Sequence, residues 1–202
     1  MRYAPQLFVN NKRWARERTQ VDPEFFTRLC GLQAPDYMWI GCADSRVPAN
    51  EIVGLAPGEM FVHRNIANIV PTTDVNCHSV VQYAVDTLGV EHIIVCGHYE
   101  CGGVRAALGP AVAEPLESWL QHLRMVVDAH RAELDALPDE AARWRRLCEL
   151  NVLAQVRQVG SLAMVRRAWD RGQKLYVHGW IYDLHDGLLR DLGATLASDV
   201  VS

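Results

Sequence analysis

The feature that most restricts this chain is a pattern that occurs twice: a short apolar run ending abruptly in residues that can bind a metal. Tyr37-Met38-Trp39-Ile40-Gly41 leads straight into Cys42-Ala43-Asp44-Ser45-Arg46. His92-Ile93-Ile94-Val95-Cys96-Gly97 leads into His98-Tyr99-Glu100-Cys101. Runs this short and apolar read as buried strands. Helical stretches follow them, so strand, loop and helix recur along the chain. That order predicts an α/β domain with a mainly parallel β-sheet flanked by helices. Sites in such sheets form beyond the carboxyl ends of the strands, which is where both clusters fall.

The remaining elements follow from caps and punctuation. Asp22-Pro23 before Glu24-Phe25-Phe26 reads as a helix start, with Gly31 as its stop. Pro57-Gly58 turns the chain into a second strand, about Met60 to His63. A helix is expected from Asn76 to Leu88, closed by Gly89, and Gly102-Gly103 opens another. Apolar residues at helical spacing predict a helix from Pro115 to about His130 and one long helical stretch from Pro138 to Arg171. Lys174 to Trp180 alternates like a last strand, and Tyr182 to Gly187 reads as a turn.

Composition removes whole classes of function. Half of the 202 residues are hydrophobic, enough for a real core. Twenty Lys+Arg against 24 Asp+Glu leave a net charge of −4, which argues against a nucleic-acid partner. No apolar run approaches the ~18–20 residues that span a bilayer, so no membrane partner is expected. Met1 to Trp14 lacks a signal-peptide pattern, and the expected location is cytoplasmic. The six cysteines include no Cys-x-x-Cys pair, so a disulfide framework is not expected. Cys30, Cys77, Cys96 and Cys148 read as plain thiols.

Cys42, Asp44, His98 and Cys101 are different. Two thiols, an imidazole and a carboxylate are the donor types zinc prefers. His-x-x-Cys can converge from a single turn, and Cys-x-Asp places both side chains on one side of an extended segment. One zinc ion per chain is the expectation.

Cys42-Ala-Asp44-Ser-Arg46 followed by Gly97-His98-x-x-Cys101-Gly102-Gly103 resembles the signature of the β-class carbonic anhydrases. Trp39 to Pro48, Phe61-Val-His-Arg-Asn, Ser79 to Val85 and His178-Gly-Trp-Ile-Tyr-Asp are similar to the bacterial branch of that family. The resemblance implies reversible hydration of carbon dioxide to bicarbonate and a proton by zinc-bound hydroxide, with CO2 and bicarbonate as the small-molecule partners. Cys42, His98 and Cys101 would then be the lasting ligands. Asp44 would either be a fourth ligand or be held by Arg46 as a catalytic pair. Two thiolates offset the metal's charge, so activity favouring alkaline pH is expected.

By the same resemblance Gln33, Phe61, Ile66, Tyr83, Gly102 and Gly103 would form the CO2 pocket. Trp39, Arg64 and Tyr182 would hold a non-catalytic bicarbonate that favours Asp44 on the metal. Glu100 stands where glycine is frequent and is expected to face solvent or pair with a base. His63, His78, His92, His122, His130, His178 and His185 receive no role. The family also implies a homodimer or homotetramer built through an N-terminal arm. Residues 1–30, with Phe8 to Arg18 at their centre, would be that arm, and 31–202 the α/β core. Hydrolysis of carbonyl sulfide or carbon disulfide, and a catalytically silent structural paralogue, are the alternatives.

Overall fold

A computed structural model describes residues 4–31 and 33–198. They fall into two units, one up to Ala34 and one from Pro35. The first carries α1 (Ala4–Val21) and α2 (Phe25–Gly31). Asp22 sets the break between them, because its Oδ1 accepts from the Glu24 amide at 3.2 Å. Trp14 packs edge-on against Phe25 and Phe26, while Leu7, Phe8 and Val9 are exposed on α1.

The second unit is built on five strands: β1 (Tyr37–Cys42), β2 (Met60–Asn65), β3 (His92–His98), β4 (Tyr176–Asp183) and β5 (Leu188–Asp191). Their order is β2-β1-β3-β4-β5, with β1 parallel to both β2 and β3, β3 parallel to β4, and β5 antiparallel to β4. Side chains alternate between the faces. Met38, Ile40, Val95 and Val177 enter one core with α4 (Val75–Gln82), α8 (Glu140–Ser161) and α9 (Ala163–Asp170). Trp39, Met60, Ile94 and Cys96 enter another on the opposite face, bordered by Ala49 of α3 (Ala49–Ile52). Full burial of aliphatic side chains such as these contributes roughly 1.5–3 kcal/mol each.

A third core lies below the carboxyl ends of the strands. Cys42, Ile69, Cys101 and Val104 pack there with Leu120, Leu123 and Leu147. These come from β1, the segment after β2, α5 (Gly102–Leu108), α6 (Leu116–Ala129) and α8. The short helix α7 (Arg131–Asp135) links α6 to α8.

Three expectations need correction. The stretch from Pro138 to Arg171 is two helices, because Leu162 is extended (φ −63°, ψ 137°). Apolar spacing runs through that break, so periodicity could not show it. β4 continues past Trp180, so Tyr182 lies on a strand, and the turn that follows closes at Gly187 with φ 72°. β5 then adds an antiparallel strand. The Asn76–Leu88 helix is present, with its last turns, residues 83–88, wound as a π-helix before Gly89 (φ 68°).

Candidate metal centre

Parallel pairing brings the two sequence clusters together. Cys42 is the last residue of β1, His98 the last of β3, and Cys101 immediately precedes α5. The two sulfurs stand 3.9 Å apart, and all three ligand atoms lie within 4.8 Å of one another. All three side chains are buried.

The imidazole is oriented for coordination. A carbonyl oxygen can only accept, so the 2.8 Å contact from His98 Nδ1 to the Tyr99 carbonyl places the proton on Nδ1. Nε2 is left with a free lone pair, buried and without any hydrogen-bond partner. A buried polar atom without a partner is costly, and a cation among two thiolates would satisfy it. The residues present therefore fit a zinc ion.

The sulfurs show the same logic. The hydrogen bond between the thiols draws the Cys42 thiol below the ordinary range and pushes Cys101 up. Without a cation only one of the pair ionises readily. The Ala67 amide donates to Cys42 Sγ at 3.4 Å, which adds a fixed dipole favouring the thiolate.

Asp44 sits two residues beyond Cys42 and is held by Arg46. Arg46 Nε donates to Oδ1 at 3.0 Å and Nη2 to Oδ2 at 2.7 Å, while the Arg46 amide also donates to Oδ1 at 2.9 Å. The guanidinium holds this carboxyl far below its usual range, so it is ionised. Its Oδ2 is 3.8 Å from the free Nε2 of His98. Arg64 of β2 fixes the same loop by donating from Nη2 to the Asp44 carbonyl at 2.6 Å.

Residues 37–189 match the family model for carbonic anhydrase. A carbonic anhydrase of Emericella nidulans is 51% identical over 187 residues, which is 93% of this chain and 82% of that protein. A tetrameric β-carbonic anhydrase of Sordaria macrospora superposes with a TM-score of 0.91 at 42% identity, covering 95% of this chain and 98% of that one. The Coccomyxa β-carbonic anhydrase, solved in complex with acetazolamide, gives 0.88 at 43% identity, covering 94% and 85%. The chain belongs to the β-class carbonic anhydrases.

In this carbonic anhydrase a cleft of about 350 Å³ opens beside the trio, lined by Ala43, Asp44, Ile66, Gly102, Gly103 and Leu116 among others. Of the residues expected around CO2, Ile66, Gly102 and Gly103 line this cleft, together with Ala43 and Leu116. A Cβ on Gly103 would stand 2.6 Å from Ile66 Cγ2, so the close approach of α5 requires glycine. Phe61 and Tyr83 face each other with ring centroids 5.8 Å apart and do not line this cleft. Gln33 is exposed in the N-terminal unit.

Trp39, Arg64 and Tyr182 share one face of the sheet, since Gly41 pairs with Arg64 and Cys96 with Gly41, while Tyr182 pairs with His98. Trp39 is buried, Tyr182 half-buried and Arg64 exposed. Glu100 has φ 58°, a conformation that glycine adopts freely, and its carboxylate pairs with His185 at 3.3 Å. It does not line the cleft.

Two tryptophans missed in the sequence support the site. Trp119 Nε1 donates to the Ile66 carbonyl and Trp144 Nε1 to the Cys101 carbonyl, each at 2.9 Å. A second trio, His63, Asp74 and Cys77, also has its ligand atoms within 4.8 Å. Ile69 locks both ends of the Asn65 amide, so its Nδ2 faces His63 Nε2 at 3.2 Å. That makes Nε2 an acceptor and leaves the proton on Nδ1, where it opposes a cation. Burial pushes the Cys77 thiol up to about 12. These are features of a packed core. No helix among the described residues is long and apolar enough to cross a membrane.

Proposed function

We propose that Cys42, His98 and Cys101 hold one zinc ion and that Asp44, kept in place by Arg46, orients the reacting water toward CO2 in the adjacent cleft. When bound, zinc supplies the acidification of water that makes a nucleophile near neutral pH. The protein's own contribution is positional. Nδ1 of His98 is tied to a carbonyl, which leaves Nε2 as the only coordinating atom. Asp44 is ionised and can accept a hydrogen bond, while Arg46 occupies both of its oxygens and holds it back from the ligand trio. Ile66, Gly103 and Leu116 give the cleft the apolar lining that a small nonpolar substrate needs. The observation carrying the reading is the Asp44 carboxylate, clamped by Arg46, standing 3.8 Å from the unpartnered His98 Nε2.

Regulation is part of the proposal. Bicarbonate bound by Trp39, Arg64 and Tyr182 would compete for the Arg64 guanidinium that now holds the Asp44 carbonyl. The loop would loosen, and Asp44 could leave Arg46 for the ligand trio. Falling pH would act in the same direction, because less hydroxide would be available to compete with the Asp44 carboxylate for a zinc ion held by Cys42, His98 and Cys101.

A homodimer or homotetramer is also proposed, and the exposed Leu7, Phe8 and Val9 of α1 support an arm that packs on a second copy. The relative from Sordaria macrospora is described as tetrameric. Residues 1–30 would be the arm and 31–202 the catalytic core.

The test is zinc content together with stopped-flow CO2 hydration across pH 6.5 to 9. One zinc per chain, with turnover rising toward alkaline pH, is expected. A zinc-loaded protein with no hydration activity at any of these pH values would refute the proposal.

A further inference from the structure

A second cleft, of about 260 Å³, lies between the segment Ile69–Thr72, α6 and α8 and shares no lining residue with the metal-site cleft. Its floor is apolar, with Ile69, Val70, Val126 and Ala154. Its polar lining is Thr72, His122, His130, Gln155, Arg157 and Gln158, and it contains no carboxylate. Among the described residues, Arg157 has no ion pair and no side-chain hydrogen bond. His130 leans on Glu133 at 3.3 Å, while His122 lies edge-on to Trp119.

The wall of the cleft is rigid. Gln155 is only 5% exposed, and its two ends are fixed by the Val70 amide at 2.8 Å and by Asn151 Oδ1 at 3.0 Å. Asn151 in turn donates to the Ala67 carbonyl at 2.9 Å. The cleft is therefore pre-formed, which lowers the ordering cost of binding.

We propose that this cleft is a second ligand site, for a small carboxylate with an apolar body. The assignment follows from its parts. An unpaired guanidinium offers a planar fork to a carboxylate. The His122 ring and the Gln158 amide can add donors, and no carboxylate lines the cleft, Glu133 being turned to His130 at its rim. The apolar floor takes a hydrocarbon body. The volume corresponds to roughly nine waters at ~30 Å³ each, so the ligand has about as many heavy atoms as benzoate.

The experiment uses the zinc-loaded protein with acetazolamide added to saturation, so that carboxylate binding at the metal is blocked. Benzoate and the neutral benzyl alcohol are each titrated by calorimetry into wild type and Arg157→Gln. One benzoate per chain with a Kd on the order of millimolar is expected, with benzyl alcohol at least ~10-fold weaker. Arg157→Gln should weaken benzoate at least ~10-fold and leave benzyl alcohol unchanged. Arg157 is exposed on α8, so the variant should fold, and circular dichroism checks that. No benzoate binding with the metal blocked, equal affinity for the alcohol, or unchanged affinity in the variant would each overturn the assignment.

Discussion

Arg64 donates from Nη2 to the Asp44 carbonyl at 2.6 Å, which ties the loop carrying the Asp44 carboxylate to the neighbouring strand β2. The same guanidinium belongs to the trio proposed to bind bicarbonate, so under that proposal one side chain would serve two competing partners. Arg64→Ala removes the anion's fork. Inhibition by bicarbonate beyond ordinary product competition should disappear, while zinc content stays intact. The measurement is a pH–rate profile without bicarbonate and with about 50 mM, well above a millimolar Kd. The same extra inhibition in wild type and variant would remove the pocket from the regulatory account.

Cys101→Ser tests the ligand set. A hydroxyl is a far poorer zinc ligand than a thiolate, and Cys101 is buried between Cys42 and the start of α5. Metal analysis of the purified variant should show zinc lost together with activity. A fully loaded variant with normal turnover would show that some other group completes the site.

The two clusters were legible because each follows directly on a strand, and parallel pairing of β1 with β3 brings strand ends together whatever the helices do between them. Other parts left no local trace. Trp119 and Trp144 bond to carbonyls 53 and 43 residues away, and nothing around either tryptophan indicates such a partner. β5 spans four residues and is defined by its antiparallel pairing with β4, a tertiary fact. The same pairing carries Tyr182 onto a strand where its surroundings suggest a turn. The residues expected to form the CO2 pocket divide along similar lines. Ile66, Gly102 and Gly103 adjoin the metal motifs and were placed with them, whereas Phe61 and Tyr83 rest on each other.

Gly103→Ala examines the fit of α5 against the loop after β2. The added methyl would meet Ile66 Cγ2 at 2.6 Å, and the Ile66 carbonyl is fastened by Trp119, so the loop yields poorly. A loss of about 1–3 kcal/mol in denaturant unfolding is expected. Pairing it with Ile66→Ala, which removes the clashing carbon, should recover part of that loss. Additive effects of the two substitutions would mean the contact is not the cause.

Asp44→Asn separates positioning from metal binding. The amide can neither pair ionically with Arg46 nor accept in the same way from water, yet Cys42, His98 and Cys101 remain. Zinc content should hold while kcat/KM falls by at least ~10²-fold, the range for removing a positioned acid–base group. A variant with more than half the wild-type rate at pH 8.5 would reduce Asp44 to a loop support.

Asp183, at the end of β4, makes stability depend on pH. Its side chain is 7% exposed and faces Arg145 at 3.2 Å, Arg190 at 3.4 Å and His185 at 3.1 Å. The His185 amide, donating to the carboxylate, leads the causes that lower its pKa, and the His185 and Arg145 side chains act with it. A carboxyl depressed in the folded state adds stability above its unfolded value, near 3.9, and loses it as pH falls through the lower folded value. Asp183→Asn cannot make that contribution at any pH. At pH 7 the variant should therefore be less stable, by roughly 1–3 kcal/mol, because charge-assisted hydrogen bonds are lost while the arginines can still reach water. As pH drops below about 4, wild type should lose its advantage and the two melting temperatures should converge. The measurement is thermal unfolding of both proteins from pH 7 down to about 3. A gap that stayed constant over this range would mean that packing of the side chain, and not its charge, stabilises the end of β4.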